Sequence, residues 1–303
     1  MKTNKTVIYN TKLGLTTILL FSLFIFTFCS GNTRSGLSYE THKLKDFTYY
    51  TDIRQWKVIT PSQHKALAMA DNSKYEWKVY LDNGIPRVSL RDEWEKQSKN
   101  VPTFNMEIRG FRFKSSEYCF LKVSDGWLVG YNAGEFGGGL VWFSKNGKKH
   151  YEIKFLRKRD GYGNDRIHQF ETVNGKIYAL AGLAHLFTNE GHILHLFKRK
   201  GKWFVQQVLD IGESPQTMLR EKSELFIVTT RRLIKVSPET LKITLIYKGF
   251  YWGSLYPNSI IHLKNIFYIG MRQGVVKITV TRGKTSMEYL IPHPGVLKNH
   301  VKQ

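Results

Sequence analysis

Four stretches of this chain obey one grammar, and that repetition limits the fold more than any other feature. They span 118–155, 167–211, 216–250 and 259–291. In each, a short apolar run meets a tight turn at Asp125-Gly126, Asn174-Gly175, Lys222-Ser223 or Lys264-Asn265. Asn-Gly and Asp-Gly supply the positive φ that a two-residue hairpin needs. The runs WLVGY, KIYALAG, ELFIVTT and IFYIGM follow, then LVWFS, ILHLFK, LIKVS and VVKITV, and a polar turn leads to a fourth strand. The turns at Asp125, Asn174, Lys222 and Lys264 recur at spacings of 49, 48 and 42 residues. Each unit therefore predicts a four-stranded antiparallel meander. One such sheet cannot bury both faces by itself, whereas radial stacking hides them and leaves only short edges.

The pattern predicts an all-β chain folded as a β-propeller. Residues 77–81 and 85–90, joined through Asp82-Asn83-Gly84, read as one more hairpin. Residues 104–113 read as a strand pair, 61–70 as a short helix with Pro61 near its start, and 91–99 as a helical turn or excursion. This part supplies one further blade, giving about five, with six blades or a two-sheet β-sandwich as alternatives. A sandwich need not repeat its grammar. No linker rich in Pro, Gly or Ser divides 37–303, so a single domain is expected there.

The first thirty residues follow another logic. Lys2, Lys5 and Lys12 precede an uncharged run over 13–28, and small polar residues follow it. That is the tripartite pattern of an export signal, and the run is short for a membrane span of about 20 residues. The hydrophobic run ending at Cys29 resembles a bacterial lipoprotein signal, which implies lipidation of Cys29. Phe28 departs from that pattern, since small residues stand there in such signals. Ordinary cleavage after Cys29 or Gly31 is the other reading, and both stay open. Either predicts a periplasmic, extracellular or lipid-anchored protein at the cell envelope. Cys119, the other of the two cysteines, lies in the apolar run YCFLKV and reads as a buried, inert thiol.

Residues 118–291, with their repeated strand–turn–strand units, look like the blades of bacterial secreted β-propellers, including quinoprotein-like ones. The likeness implies architecture only. The tryptophan docking signatures of quinoprotein dehydrogenases and blade-closing Trp-Asp pairs are absent, so no cofactor is expected.

In a propeller the loops fall on two faces. Call the strands of a blade A to D from the channel outward. The A–B and C–D turns share one face, and the B–C turns and D–A connections share the other. On the second face Glu135 stands in the glycine-rich turn 132–139, a stretch that reads either as a close backbone approach or as a bulge letting Phe136 tuck against the next blade. The D–A connections bring Asp165, Trp252 and Tyr256, and His168, Gln216 and Asn258 hold equivalent positions where strand A begins. These seven residues are the ligand-binding candidates, polar groups beside aromatics of the kind that suits a sugar or peptide. No metal site is expected: His192 and His195 point to opposite faces of a strand, and Asp160-x-x-x-Asn164-Asp165 lacks the ligand count of a calcium loop.

The charge balance is 46 Lys+Arg against 24 Asp+Glu, a formal +22. The repeats give that excess a place. Lys145, Lys148, Lys149, Lys198, Arg199, Lys200, Lys202, Lys242, Arg282 and Lys284 all fall in or beside C–D turns. One face is thus expected to be basic and to attract an anionic membrane surface or acidic polysaccharide. A non-catalytic binding or scaffold propeller, monomeric and open to a protein partner, is the leading expectation. The alternative is a glycan-acting hydrolase or lyase using carboxylates near Asp160, Asp165 and Glu135. Nucleic acid is disfavoured by the export signal and by the lack of a recognisable motif. The catalytic residues of any such enzyme are not legible.

Overall fold

The computed structural model describes residues 52–53, 56–60, 62–63, 76–91, 101–104, 106, 117–156 and 166–292. The chain divides into two units, Met1–Tyr39 and Glu40–Gln303, and every described residue belongs to the second. Residues 1–30 with Cys29, most of the expected helix at 61–70, all of the 91–99 excursion but Arg91, and most of the 104–113 strand pair lie outside the described residues.

The fold is an all-β propeller. Strand β1 (Lys57–Ile59) comes first, then the hairpin β2 (Trp77–Asp82) and β3 (Ile85–Leu90). The second blade is β4 (Glu117–Val123), β5 (Gly126–Asn132), β6 (Gly138–Ser144) and β7 (His150–Glu152), hydrogen-bonded in that order. After the two-residue β8 (Lys154–Phe155), the third blade is β9 (Ile167–Val173), β10 (Lys176–His185), β11 (Thr188–Arg199) and β12 (Lys202–Asp210). The fourth is β13 (Pro215–Glu221), β14 (Glu224–Thr229), β15 (Arg232–Ser237) and β16 (Lys242–Lys248). The fifth is β17 (Ser259–Leu263), β18 (Ile266–Met271), β19 (Gly274–Thr281) and β20 (Lys284–Ile291). All four are antiparallel meanders, and the turns between their first two strands fall where the repeat placed them. Strand β2 packs on β17 and β18 much as β9 packs on β4 and β5, so the hairpin stands in the place of the first blade.

The cores lie between blades. One cluster joins Leu128 and Leu140 of the second blade to Phe170, Ala179 and Leu194 of the third. Another joins Leu180 and Ile193 to Leu225, Ile227 and Ile234, and a third joins Phe226 and Leu233 to Phe267, Ile269 and Val276. Each B strand is buried on both sides by its neighbours. That is why WLVGY and LFIVT read as continuous apolar runs rather than alternating ones.

Strand A presents one backbone edge to the channel, where its N–H and C=O groups have no ladder partner. The preceding blade supplies one. Gln169 accepts a hydrogen bond from Met218 N (3.0 Å) and donates one to Met218 O (2.9 Å), and Ser259 Oγ accepts from Val79 N at 2.9 Å. Gln169 and Ser259 hold the same repeat position, one residue after His168 and Asn258. Replacing Gln169 by leucine keeps the volume and strands two buried backbone groups. The variant is expected to lose about 1–3 kcal/mol, read as a lower urea midpoint with unchanged m-value.

Two outer edges carry a fifth strand. Strand β8 pairs in parallel with β12, Lys154 opposite Phe204 and Phe155 opposite Val205. Strand β1 pairs antiparallel with β20, Lys57 opposite Ile291. No other strand among the described residues lies outside β16.

Candidate functional site

The meander order puts the A–B and C–D turns on one face, and side-chain contacts hold them together across blades. Lys198 of the third blade reaches Asp125 of the second at 2.8 Å, and Asn174 of the third bonds Glu239 of the fourth at 2.5 Å. Burial opposes ionisation of Asp125, yet the hydrogen bond and charge of Lys198 hold its carboxyl below the ordinary value. Glu221 on the same face is bound to His262 at 3.0 Å. Three of this face's acids are therefore already engaged.

Lys145, Lys148, Lys149, Arg199, Lys200, Lys202, Lys242, Arg282 and Lys284 are all exposed here. Lys122, Lys176, Lys222 and Lys264 from the A–B side join them, equally exposed. Lys198 is the exception in function: besides Asp125, it lies 5.0 Å over the Trp203 ring, which makes it part of the blade contact. The turn geometry explains why cations can sit at the tips. Lys200-Gly201 and Arg282-Gly283 both adopt positive φ, 50° and 77° in each pair, the conformation of a two-residue hairpin turn. Such residues project outward with no neighbour to bury them.

On the opposite face the described arginines are held by carboxylates or backbone carbonyls. Arg91 bonds Glu76 (2.8 Å) and Glu117 (2.9 Å), and Arg272 reaches Glu76 at 3.1 Å. This chain of charges links the fifth blade, the hairpin and the second blade. Glu213 accepts from Thr229 Oγ1 at 2.6 Å and lies 3.1 Å from Arg232 and 3.7 Å from Arg231. Tyr256, half-exposed with a left-handed φ of 49°, lies under the Arg272 guanidinium at 4.3 Å. Tyr251 lies under Arg231 at 5.8 Å.

The sequence-derived candidates divide. Glu135 sits in a 3-10 turn, Gly134–Phe136, and its carboxylate meets His185 at 2.8 Å. Arg166 donates to Gly134 O at 2.8 Å and Glu135 O at 3.3 Å, so carbonyls bind this turn to the next blade. Phe136 does not tuck in; it is 66% exposed. The glycines serve another side chain: a Cβ at Gly139 would stand 2.8 Å from the Tyr131 hydroxyl. Trp252 corrects an expectation. It is fully buried, and its Nε1 donates to Thr229 O at 2.7 Å, so it is a core residue and no ligand contact. His168, Gln216 and Asn258 do begin equivalent strands, and the first two sit at β-bulges against β10 and β14. Each bonds locally: His168 Nε2 to Gly182 O at 3.0 Å, Gln216 to Pro215 O at 3.2 Å, and Asn258 Oδ1 to Ser259 Oγ at 2.9 Å. Asp165, with Asp160 and Asn164, lies outside the described residues.

Cys119 is half-buried, its thiol pushed well above the usual range by burial. Sequence reasoning missed the tip of the β10–β11 hairpin, where Leu186 and Phe187 are 85% and 104% exposed. The extra length of the second repeat was the available signal. No helix among the described residues is long and apolar enough to cross a membrane, and none of them groups into a metal site.

Burial also pushes the His168 imidazole below its ordinary value, the Gly182 carbonyl and Glu117 charge offsetting part of this. A base so depressed binds fewer protons folded than unfolded. Its contribution is complete above the unfolded pKa of about 6.5 and is lost as pH falls through that value toward the folded one. Stability is expected to drop as pH falls below about 6.5, with His168→Gln flattening part of the slope in thermal melts. Glu171, raised by burial, pulls the other way, so the comparison isolates the histidine.

No protein-family model matches the chain, and no curated protein matches it in sequence. Among solved structures it is similar to one described as a nidogen/laminin complex, at 13% identity and TM-score 0.36, over 56% of this chain and 60% of that one. It is similar to an engineered GH43 glycoside hydrolase with endo-xylanase and exo-arabinofuranosidase activity, at 9% identity and TM-score 0.33, over 58% and 41%. A third is the extracellular domain of a one-component system from B. thetaiotaomicron, at 14% identity and TM-score 0.28, over 58% and 28%. This chain spans at most 60% of any of the three. At these scores the likenesses decide neither activity nor partner.

Proposed function

We propose that this protein is a non-catalytic binding propeller, exported to the cell envelope or exterior, whose A–B/C–D face docks on an anionic surface. One observation carries the reading: the lysines of that face stand exposed while three of its acids are held within it by Lys198, Asn174 and His262, and among the described residues the arginines of the other face are held by carboxylates or backbone carbonyls. Lysine is a compact, strongly hydrated point charge and arginine a fork for bidentate recognition. A lysine-rich face therefore suits diffuse attraction to many phosphates or carboxylates rather than one shaped ligand. The hydrolase or lyase reading is weakened by Glu135, whose carboxylate is held by His185.

The test is sedimentation of the full chain with neutral vesicles, with vesicles containing acidic phospholipid, and with beads bearing an acidic polysaccharide. Binding to either anionic surface should fall steeply between about 0.1 M and 1 M salt, as the Debye length shrinks from about 10 Å to about 3 Å. Salt-independent binding, or equal binding to neutral vesicles, rejects the proposal. The two anionic arms tell lipid from glycan. Export and the state of Cys29 are tested together by the mass of the native N-terminus: a product retaining Met1 rejects export, and an acylated Cys29 supports a lipid anchor.

A further inference from the structure

We propose that the outer edge of the fourth blade, strand β16, is a docking site for an extended peptide that carries an acidic residue at each end. The blades around it supply the first argument. An outermost strand leaves one row of N–H and C=O groups unpaired. The second blade keeps that row short, since β7 has three residues. Strand β8 covers part of the third row, at Phe204 and Val205, and β1 part of the fifth, at Tyr289, Leu290 and Ile291. Strand β16 has seven residues, and among the described residues no strand pairs with its outer side.

The side chains along this edge agree. Leu245 is 55% exposed, Ile243 38% and Leu241 41%. The corresponding stretch of the third blade is the one capped by β8, and Phe155 of β8 packs into the core there. Strand addition to an exposed edge draws affinity from main-chain hydrogen bonds and specificity from alternate side chains.

Charge selects the occupant. Lys242 and Lys248 close the two ends of β16, both exposed. The nearby acid Glu239 is bound to Asn174. A second copy of the chain fits poorly: β16 is bulged at Ile246, and antiparallel pairing about Leu245 brings the like-charged Lys242 and Lys248 of the two copies together, which destabilises a ladder. A strand with acids at its ends and small apolar residues between them reverses that sign. This inference does not depend on the anionic-surface reading, because it rests on main-chain pairing along the rim; of the two lysines it uses, only Lys242 also belongs to the turn face.

Fluorescence anisotropy of the full chain with labelled synthetic peptides tests it. The probes are Glu-Val-Thr-Val-Thr-Val-Glu, the same peptide with Lys at both ends, and the acid-ended peptide with alternate amides N-methylated. The acid-ended peptide is expected to bind at least about tenfold more tightly than the Lys-ended one, and N-methylation to abolish binding, since it removes the donors of the ladder. In the double variant Lys242→Glu/Lys248→Glu the preference for ends should reverse. Equal affinity for the two end types, or undiminished binding of the N-methylated peptide, overturns the proposal. So does a concentration-dependent dimer that Leu245→Lys dissolves, which would make a second copy the occupant.

Discussion

Alanine in place of Trp252 is expected to lower stability by about 3–5 kcal/mol, a large share of the 5–15 kcal/mol that holds a typical protein folded. Trp252 lies in the connection between the fourth and fifth blades and is wholly buried. It belongs to the cluster that joins Phe226 and Leu233 to Ile269 and Val276. Its ring stacks on Tyr247 at 5.9 Å and meets Phe250 edge-on at 6.2 Å. Truncation opens a cavity between blades and strands the Thr229 carbonyl, which now accepts from Nε1. The neighbouring Tyr251 offers the control, since it is 43% exposed, with Arg231 5.8 Å over its ring and the backbone of Gly253 against it. Tyr251→Ala should cost less than about 1 kcal/mol, near the range of surface substitutions. Urea titrations at one pH, with the m-value held, decide the matter. Similar losses from both variants would mean that the connection is loosely packed and that Trp252 does not join the blades.

The same tryptophan shows where sequence reasoning stops. FYWGSLYPN reads as a polar loop rich in aromatics, and a loop on the ligand face invites a binding role for every ring. Depth in the fold separates them: Trp252 goes inward while Tyr251 and Tyr256 stay half-exposed over arginines. Nothing in the local pattern encodes that difference, because a loop has no period to reveal a buried side. The blades were legible for the opposite reason. Turn chemistry at Asn174-Gly175 and its counterparts and the apolar B strands are local signals, and the repeat multiplies them. The added strands were not legible. β1 pairs with β20 across more than two hundred residues of chain, and β8 is two residues long and parallel. Long-range pairing of short segments leaves no composition or spacing to read. The sorting of turns onto faces lay between these extremes. It followed from the meander alone, and the Lys198–Asp125 bond between blades agrees with it.

That sorting underlies the largest expected effect. Neutralising Lys148, Lys149, Lys200 and Lys202 as Gln should weaken binding to acidic vesicles or acidic polysaccharide about a thousandfold at low salt, taking roughly 1 kcal/mol for each lysine near an anionic surface. All four are exposed and none is in an ion pair among the described residues, so the fold should melt as before. Lys198 is left in place deliberately. Its removal would free Asp125 and uncover Trp203, confusing lost charge with lost packing. The arginines of the other face make a poor control for the same reason, since Arg231 and Arg232 hold Glu213, and Arg272 holds Glu76. A cleaner control neutralises the rim residue Lys248 together with Lys57, an exposed cation opposite Ile291, at the end of β20 farthest from the turn face. This pair removes half as much charge, so net charge alone predicts half the free-energy loss, about thirtyfold. A face-directed contact predicts a loss of severalfold at most, because charges lying away from the surface are screened within about one Debye length. A loss near thirtyfold from the control would make the attraction a property of total charge and dissolve the distinction between the faces.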